Sequence, residues 1–575
     1  MDNAAIARVL AEMADLLELK GENPFKIRAY RNAAATIAEC AQAVGALSAR
    51  ELLALPGIGR DLAGRIRELV DCGEIAHHRD LLAEFPATLL ELTRLQGIGP
   101  KTVALLYRAL DIRTLDQLEE ASRAGRVRGL RGMGAKKEAL VLKAIEERRR
   151  HAGRHLLADT EGVAAAVVAH LRQVAPDVEY VPVGSLRRGT ETCGDLDILA
   201  VGGHPSLIDA FSRHALVERV LGRGETKGSV LLRGGYQADL RLVPAASRGA
   251  ALQYFTGSKA HNIELRDRAL ARGLKLNEYG LFDNATGKAV AGESEEGIYG
   301  ALGLAWVPPE LRENRGEFDA AARRALPRLV ELSDIRGDLH CHTDATDGRD
   351  TLEAMAEAAR AAGLSYLAIT DHSRALAMSG GLDETSALRH AARIRAVGAR
   401  LEGIRLLAGI ECDIRPDGTL DLADDCLAQL DFVIASVHSA FNQDASQMTE
   451  RLVRAMGCPY VDAIGHPTGR LLLRRDPYPV DIGGLIDAAT RHGVALEINA
   501  QVDRLDLNDM HARLAAERGV PLVIDTDSHS TAGFGMLRWG VTVARRGWLT
   551  AGQVLNTRPP DQFLGGLRRA RAAGR

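Results

Sequence analysis

The 575-residue chain contains no cysteine pair of the CxxC type; its seven cysteines, at positions 40, 72, 193, 341, 412, 426 and 458, are scattered. That spacing excludes a structural zinc knuckle or a disulfide frame and fits a reducing compartment. No apolar run approaches the roughly 20 residues that span a bilayer, so no membrane anchor is expected. The opening MDNAAIARVLAEM lacks the basic start and apolar stretch of a signal peptide, and a cytoplasmic location is expected. A basic excess is missing too. With 73 Lys/Arg against 76 Asp/Glu, the formal charge is −3, which taken alone argues against a phosphate-binding protein. The average conceals segregation: between Ala121 and Arg150 there are ten Lys/Arg and three Glu, a local balance permissive for DNA.

What is present points to several domains. The length exceeds a single core and predicts three or four compact units, with 46% hydrophobic and 26% charged residues as in ordinary globular chains. Residues 1 to about 150 read as helices, with periodic segments such as AIARVLAEMADLLEL broken by Gly and Pro. From Asp177 to about Leu332 short β-branched runs (VEYVPVGS, DLDILAVGG, SVLLRGG, DLRLVPA) mixed with helical stretches predict an α+β domain. WVPPELRENRGEFDAAARRALPRL, with its paired prolines, reads as a tail and linker. From Asp338 strand-like runs (YLAIT, RLLAGIE, FVIASVH, YVDAIGH, VALEIN, PLVIDTD) alternate with amphipathic helices, predicting a parallel sheet or barrel whose chemistry sits at strand C-termini.

Three near-copies of one motif occur in the helical part: LPGIG (55–59), LQGIG (95–99) and LRGMG (130–134). Two glycines around one apolar residue suit a helix–hairpin–helix turn that brings backbone N–H groups to a phosphate. Such contacts read the nucleic-acid backbone and not its bases. Gly57, Gly59, Gly97, Gly99, Gly132 and Gly134 are the candidate DNA contacts, with Lys101 and Arg60 beside them and Lys136 and Lys137 after the third copy. One copy alone would be an ordinary glycine helix cap.

In GSLRRGTETCGDLDILAVGG, Asp195 and Asp197 are spaced by one residue and therefore share one face of a strand, while Asp239 lies on another predicted strand. Three carboxylates of this kind can hold the two Mg²⁺ or Mn²⁺ ions that nucleotidyl transfer uses. Farther on, DLHCHTDATDG, ITDHS, GIECDI, ASVHS, IGHPTG and IDTDSH place nine His/Asp/Glu at successive strand ends. Imidazole mixed with carboxylate suits Zn²⁺, Mn²⁺ or Fe²⁺ and water activation for phosphoester hydrolysis.

These motifs resemble two families. The first 315 residues or so resemble the polymerase beta-like, family X DNA polymerases. The C-terminal motifs match, in order, those of the PHP (polymerase and histidinol phosphatase) family. The implied fold is multidomain: an all-α helix–hairpin–helix region, an α+β nucleotidyltransferase palm with a thumb-like subdomain, and a distorted (β/α)7 PHP barrel. The implied boundaries are 1–85 (lyase-like, DNA-binding), 86–150 (second helix–hairpin–helix region), 151–250 (palm), 251–316 (nucleotide-selecting subdomain), 317–334 (linker) and 335–575 (PHP domain).

By the same resemblance GENPFKIRAYRNAA would place Lys26 and Tyr30, with Arg31 beside them, at the 5′-phosphate of a gap. The family's Schiff-base lysine is matched by Arg65, whose guanidinium is no amine nucleophile, so deoxyribose-phosphate lyase chemistry is not expected. Ser185, Arg188 and Gly194 would contact the triphosphate, with Asp195, Asp197 and Asp239 as catalytic metal ligands. In QYFTGSKAHNIELRDRALARGLKLNEYGLF, Tyr254, Phe255 and Gly257 would line the sugar. Asn262 and Arg266 would face the nucleotide and minor groove, and Lys259 stands where polymerase beta has a carboxylate. In the barrel one ion would be held by His340, His342, Glu411 and Asp527, a second by Glu411, His438 and His466, and a third by Asp347, His372 and His529.

The expected protein is a DNA-templated, gap-filling polymerase of base excision repair with a 3′→5′ exonuclease or phosphoesterase barrel. 3′-Phosphatase action and cleavage at abasic sites would be further activities of the same kind. Its partners would be gapped or nicked DNA and dNTPs, and the protein would be a monomer associated with the nucleoid. Two other readings stay open from residues alone: a template-independent nucleotidyltransferase fused to a small-molecule phosphatase, and a non-enzymatic DNA-end scaffold.

Overall fold

The computed structural model describes residues 3–40, 44–93, 95, 98–150, 153–376 and 379–567. Two compact units emerge, Met1–Ala152 and Gly153–Arg575. Among the described residues no helix is long and apolar enough to cross a membrane.

The first unit is all-helical around one core running from Ile6 to Ile145. Its glycine motifs punctuate the helices. Gly57 takes a left-handed φ of 73° to turn the chain, and Gly59 and Gly99 are the extended N-cap residues of helices Arg60–Cys72 and Pro100–Leu110. In the third copy Gly132 is left-handed (φ 83°) and helix Gly134–Arg150 follows at once. Ile58, Ile98 and Met133, the apolar residue of each motif, are buried, while Gly57, Gly59, Gly99, Gly132 and Gly134 stay exposed. The hairpin is thus anchored by its middle side chain and offers its backbone outward. Gly97 lies outside the described residues.

The second unit begins with a five-stranded sheet in the order Glu179–Pro182, Asp195–Val201, Tyr236–Val243, Lys227–Leu232, Val217–Arg223. Helices Leu157–Val174 and Ser206–Ser212 pack on it through Val167, Leu171, Leu207 and Phe211. Helices Arg248–Thr256 and Lys259–Leu270 follow, then a three-stranded antiparallel sheet and helix Glu295–Ala301. The stretch expected as a linker, 317–334, is instead folded. Glu317 opens helix Glu317–Ala322 with its carboxylate 2.7 Å from His261 Nδ1, and Phe318 stacks on the His261 ring. Burial of that carboxylate is compensated by backbone donation from Asn314 and Arg315, so the segment has a packing role that its polar composition conceals.

The last part is a barrel of seven parallel strands in sequence order, Gly337–Asp338, Tyr366–Ile369, Arg405–Asp413, Phe432–Ser436, Ala463–Ile464, Ala495–Asn499 and Leu522–Asp525. A parallel bridge between Cys341 and Ser528 brings its two edges together. Strands of this kind are buried on both faces, which is why they read as near-continuous apolar runs. The polar residues that follow each run therefore gather at one end of the barrel.

Candidate functional site

In the palm-like sheet, strand Asp195–Val201 lies parallel to Tyr236–Val243 with Asp197 directly opposite Asp239. Asp195, two residues before Asp197, shares its face, so three carboxylates converge at one strand end. Asp239 is 8% exposed and its Oδ1 has no hydrogen-bond partner, while Lys227 Nζ lies 2.6 Å from its Oδ2. Burial, reinforced by the charges of Asp195 and Asp239, pushes the Asp197 carboxyl up to about 6. Crowded carboxylates with an unsatisfied oxygen form a donor set that a hard divalent cation fits.

The turn before these strands is shaped for close approach. Gly184 is left-handed (φ 65°), and a Cβ there would stand 3.5 Å from Asp197 Oδ2. Ser185 Oγ is buried without a partner. Gly194 immediately precedes Asp195, and Arg188 is held by Thr256 O (2.5 Å from Nη1) and Glu313 Oε1 (3.0 Å from Nε). Tyr254 and Phe255 pack edge to face, and Gly257 is left-handed (φ 71°). Asn262 donates to Tyr254 O at 2.7 Å, Arg266 donates to Asn262 O at 3.3 Å, and Lys259 is exposed at the start of its helix.

In the barrel, Glu411 is the hub. His466 Nε2, His438 Nε2 and His340 Nε2 lie 3.1, 3.2 and 3.4 Å from its Oε1. His372 Nδ1 and His342 Nε2 lie 2.8 and 3.7 Å from its Oε2. Asp527 Oδ1 is 3.2 Å from His342 Nε2 and 3.6 Å from His340 Nε2. Asp347 reaches His372 Nε2 at 3.4 Å and His529 Nε2 at 3.5 Å. Three groups close enough to grip an ion result: His340, His342 and Asp527; His372, Glu411 and His438; His342, Asp347, His372 and His529.

Both His342 nitrogens, His340 Nε2, His466 Nδ1 and Glu411 Oε2 are buried without hydrogen-bond partners, the signature of a site built for a cation. His466 and Asp527 also carry left-handed backbones (φ 27° and 50°), strain that a functional position retains. The charges are tightly coupled. Burial opposes protonation of His372 and His438, but Glu411 and its neighbouring aspartates push them up to about 10 and 9. Burial together with nearby cationic groups holds His342 and His466 down to about 4.

Family models match each of these regions in part. Models described as helix-hairpin-helix domain (residues 1–75), SAM-like helix-hairpin-helix tandem (89–147), DNA polymerase beta palm (158–231), DNA polymerase beta thumb (251–313) and PHP domain (338–501) match in order. A Bacillus subtilis protein named DNA polymerase/3′-5′ exonuclease PolX is 39% identical over 561 residues, 97% of this chain and 98% of its own. The chain belongs to the family X DNA polymerases that carry a PHP domain. The PHP domain also resembles free-standing proteins named probable phosphatases. One from Acetivibrio thermocellus is 34% identical over 33% of this chain and 78% of its own, and one from Thermoanaerobacter sp. is 29% identical over 38% and 89%.

The PHP site has partners that the motifs did not reveal. Glu497 Oε1 is 2.7 Å from His340 Nδ1, and the same carboxylate accepts from the His466 backbone N–H, so it orients the His340 imidazole and anchors the main chain at His466. Asp413 Oδ1 stands 3.6 Å from His438 Nδ1, and Arg504 Nε is 3.7 Å from Asp527 Oδ2. The one available signal was a carboxylate interrupting the apolar run VALEIN.

In the helix-hairpin-helix unit Lys101 is exposed and Lys26 is partly exposed beside Glu22. Tyr30, by contrast, turns inward at 1% exposure, a core position and not a surface able to meet a phosphate. Arg65 lies on helix Arg60–Cys72 with Nε 3.4 Å from Asp61 Oδ2.

Proposed function

We propose that this chain fills gaps in DNA by templated synthesis and trims 3′ ends by phosphoester hydrolysis in its PHP domain. The observation that carries the reading is the presence of two separate carboxylate-centred donor sets, at Asp195/Asp197/Asp239 and around Glu411, each with buried oxygen or nitrogen atoms left unsatisfied. The Bacillus subtilis relative, named for both activities, supports the pairing, and the phosphatase relatives support hydrolysis at the second site.

Asp195, Asp197 and Asp239 hold Mg²⁺ or Mn²⁺, and the nine PHP ligands hold up to three Zn²⁺, Mn²⁺ or Fe²⁺ ions. When bound, these cations lower the pKa of the attacking hydroxyl or water and neutralise charge on the phosphate oxygens. The protein supplies position. Ser185, Arg188 and Gly194 orient the triphosphate, and Tyr254, Phe255 and Gly257 bring backbone against the sugar where a 2′-hydroxyl would clash. Asn262, Lys259 and Arg266 face the nucleotide, its template and the minor groove. In the PHP domain Glu497 keeps His340 aimed at the centre. The exposed glycine hairpins and Lys101 grip the DNA backbone on either side of a gap or nick.

This division suits base excision repair, where a blocked 3′ end is cleaned before extension. Removal of a 3′-phosphate and cleavage at abasic sites use the same hydrolytic centre. The test is a 5′-phosphorylated, single-gap duplex incubated with dNTPs and Mg²⁺ or Mn²⁺, with matched and mismatched 3′ ends. Template-directed extension together with mismatch trimming is expected. Incorporation that ignores the template, or mismatched ends left intact by the wild type, would overturn the reading.

A further inference from the structure

Two arginines of the PHP domain grip the palm turn that carries Arg188 and leads into Asp195. Arg470, four residues after His466, donates Nη1 and Nη2 to the two carboxylate oxygens of Glu191 at 3.0 and 2.6 Å, with its own side chain 9% exposed. The same guanidinium donates to the carbonyls of Arg504 and Leu505, which fixes it within the PHP domain. At the other end of the turn, Arg546 closes helix Leu537–Arg546 and donates Nη1 to the Arg188 carbonyl at 2.9 Å and to Glu313 Oε1 at 3.1 Å. Its Nη2 donates to Asp509 Oδ2 at 3.0 Å. Between them, a Cβ on Gly189 would stand 2.3 Å from the Thr542 methyl, so this helix and the turn are in direct contact.

Glu313 links Arg546 to Arg188. Its Oε1 accepts from Arg188 Nε, while Thr256 O accepts from Arg188 Nη1. Two edges of the Arg188 guanidinium are thereby fixed, and no described residue accepts from Nη2. Arg188, Glu313, Arg546, Asp509 and Arg315 form an alternating chain, with Arg315 Nη1 3.0 Å from Asp509 Oδ2. Three cations against two anions leave one positive charge uncompensated. Glu313 paired with Arg188 alone would cancel the charge a triphosphate needs; shared with Arg546, it acts as an anchor.

We propose that Arg546 and Arg470 make the PHP domain a working part of the polymerase's nucleotide site. They are positioning residues: they hold the signature turn and, through Glu313, present the free edge of Arg188 to the triphosphate. The proposal rests on the polymerase reading above and adds a dependence of nucleotide binding on PHP side chains that touch neither nucleotide nor metal.

The experiment uses the full chain in single-nucleotide gap filling, separating KM for the dNTP from kcat. The variants are Arg546→Met, Arg546→Lys, Glu313→Gln, Arg470→Gln and the Arg546→Met/Glu313→Gln double. Arg546→Met should raise KM about tenfold with kcat within about threefold, Arg546→Lys should recover part of that, and Arg470→Gln should act in the same direction. In the Glu313→Gln background the Arg546→Met change should raise KM by a clearly smaller factor than in the wild type, because only its direct bond to the Arg188 carbonyl is then left to lose. Hydrolysis of p-nitrophenyl phosphate with Mn²⁺ and the thermal midpoint identify a variant that has misfolded, and Arg470→Gln and Glu313→Gln then decide. Unchanged KM in folded Arg546→Met and Arg470→Gln, or the same factor with and without Glu313, overturns the proposal. A wild type that incorporates no nucleotide overturns the polymerase reading and this one with it, whereas an active wild type matched by Arg546→Met removes this proposal alone.

Discussion

Asp197 and Asp239 stand directly opposite each other on adjacent parallel strands, although 41 residues separate them in the chain. That register, with Asp195 on the same face, gives the three carboxylates one shared donor set, on which the proposed nucleotidyl transfer would depend. Asp239→Asn should lower gap filling by on the order of 10³-fold while leaving PHP hydrolysis unchanged. Parallel assays of the purified variant on a gapped duplex and on a mismatched 3′ end check this. Equal losses at both sites would contradict the division of labour.

The PHP centre leads to the complementary outcome. Glu411 lies within 3.7 Å of five imidazoles, so Glu411→Gln removes a carboxylate from one ligand group and a neighbouring negative charge from histidines of the other two. Exonuclease activity should fall by at least about 100-fold with primer extension retained. Treatment with a chelator should abolish hydrolysis in the wild type, and Mn²⁺ or Zn²⁺ added back should restore it. Hydrolysis that survives exhaustive chelation would remove the ions from the account.

How much of this was legible beforehand depended on whether the relevant spacing was local. The one-residue gap between Asp195 and Asp197 identifies a shared strand face, and histidines ending apolar runs identify the rim of a barrel. The Asp197 to Asp239 register, the Glu497 to His340 contact and the Arg470 to Glu191 bridge join residues far apart in sequence, and no local period announces them. Glu317 misled for a different reason. Its surroundings are charged and proline-rich, as in a linker, yet His261 and two backbone N–H groups make its burial tolerable. Tyr30 sits in a motif that reads as phosphate-binding, but the helix phase turns its ring into the core.

Arg65 allows a test of whether lyase chemistry is absent, as its side chain leads one to expect. A guanidinium stays protonated and cannot attack an abasic aldehyde, and here Arg65 is paired with Asp61. Borohydride should trap no adduct between the wild type and a 5′-deoxyribose-phosphate end, while Arg65→Lys should yield one. Detection is by covalent shift of labelled DNA on a denaturing gel. A trapped wild-type adduct would mean that another amine serves.

Glu295 ties the signature turn to the thumb and gives the protein an acid-sensitive joint. Arg187 donates Nη1 and Nη2 to its two oxygens at 2.8 Å each, and fully buried Arg312 adds Nη1 at 2.6 Å. Burial pushes this carboxyl upward, but Arg187 and Arg312 outweigh it and hold it down from the usual 4.5 to about 2. The depressed value belongs to the folded state, so the unfolded chain binds more protons between these limits and stability rises with pH across them. The contribution is therefore complete above pH 4.5 and vanishes as pH falls through 2. Its size is about 3 kcal/mol, and Glu295→Gln should lower stability by that order at neutral pH. Thermal midpoints of wild type and Glu295→Gln should differ most at pH 7 and draw together as pH falls to about 2. A gap of constant size at both values would show that the pair contributes by packing and not by charge.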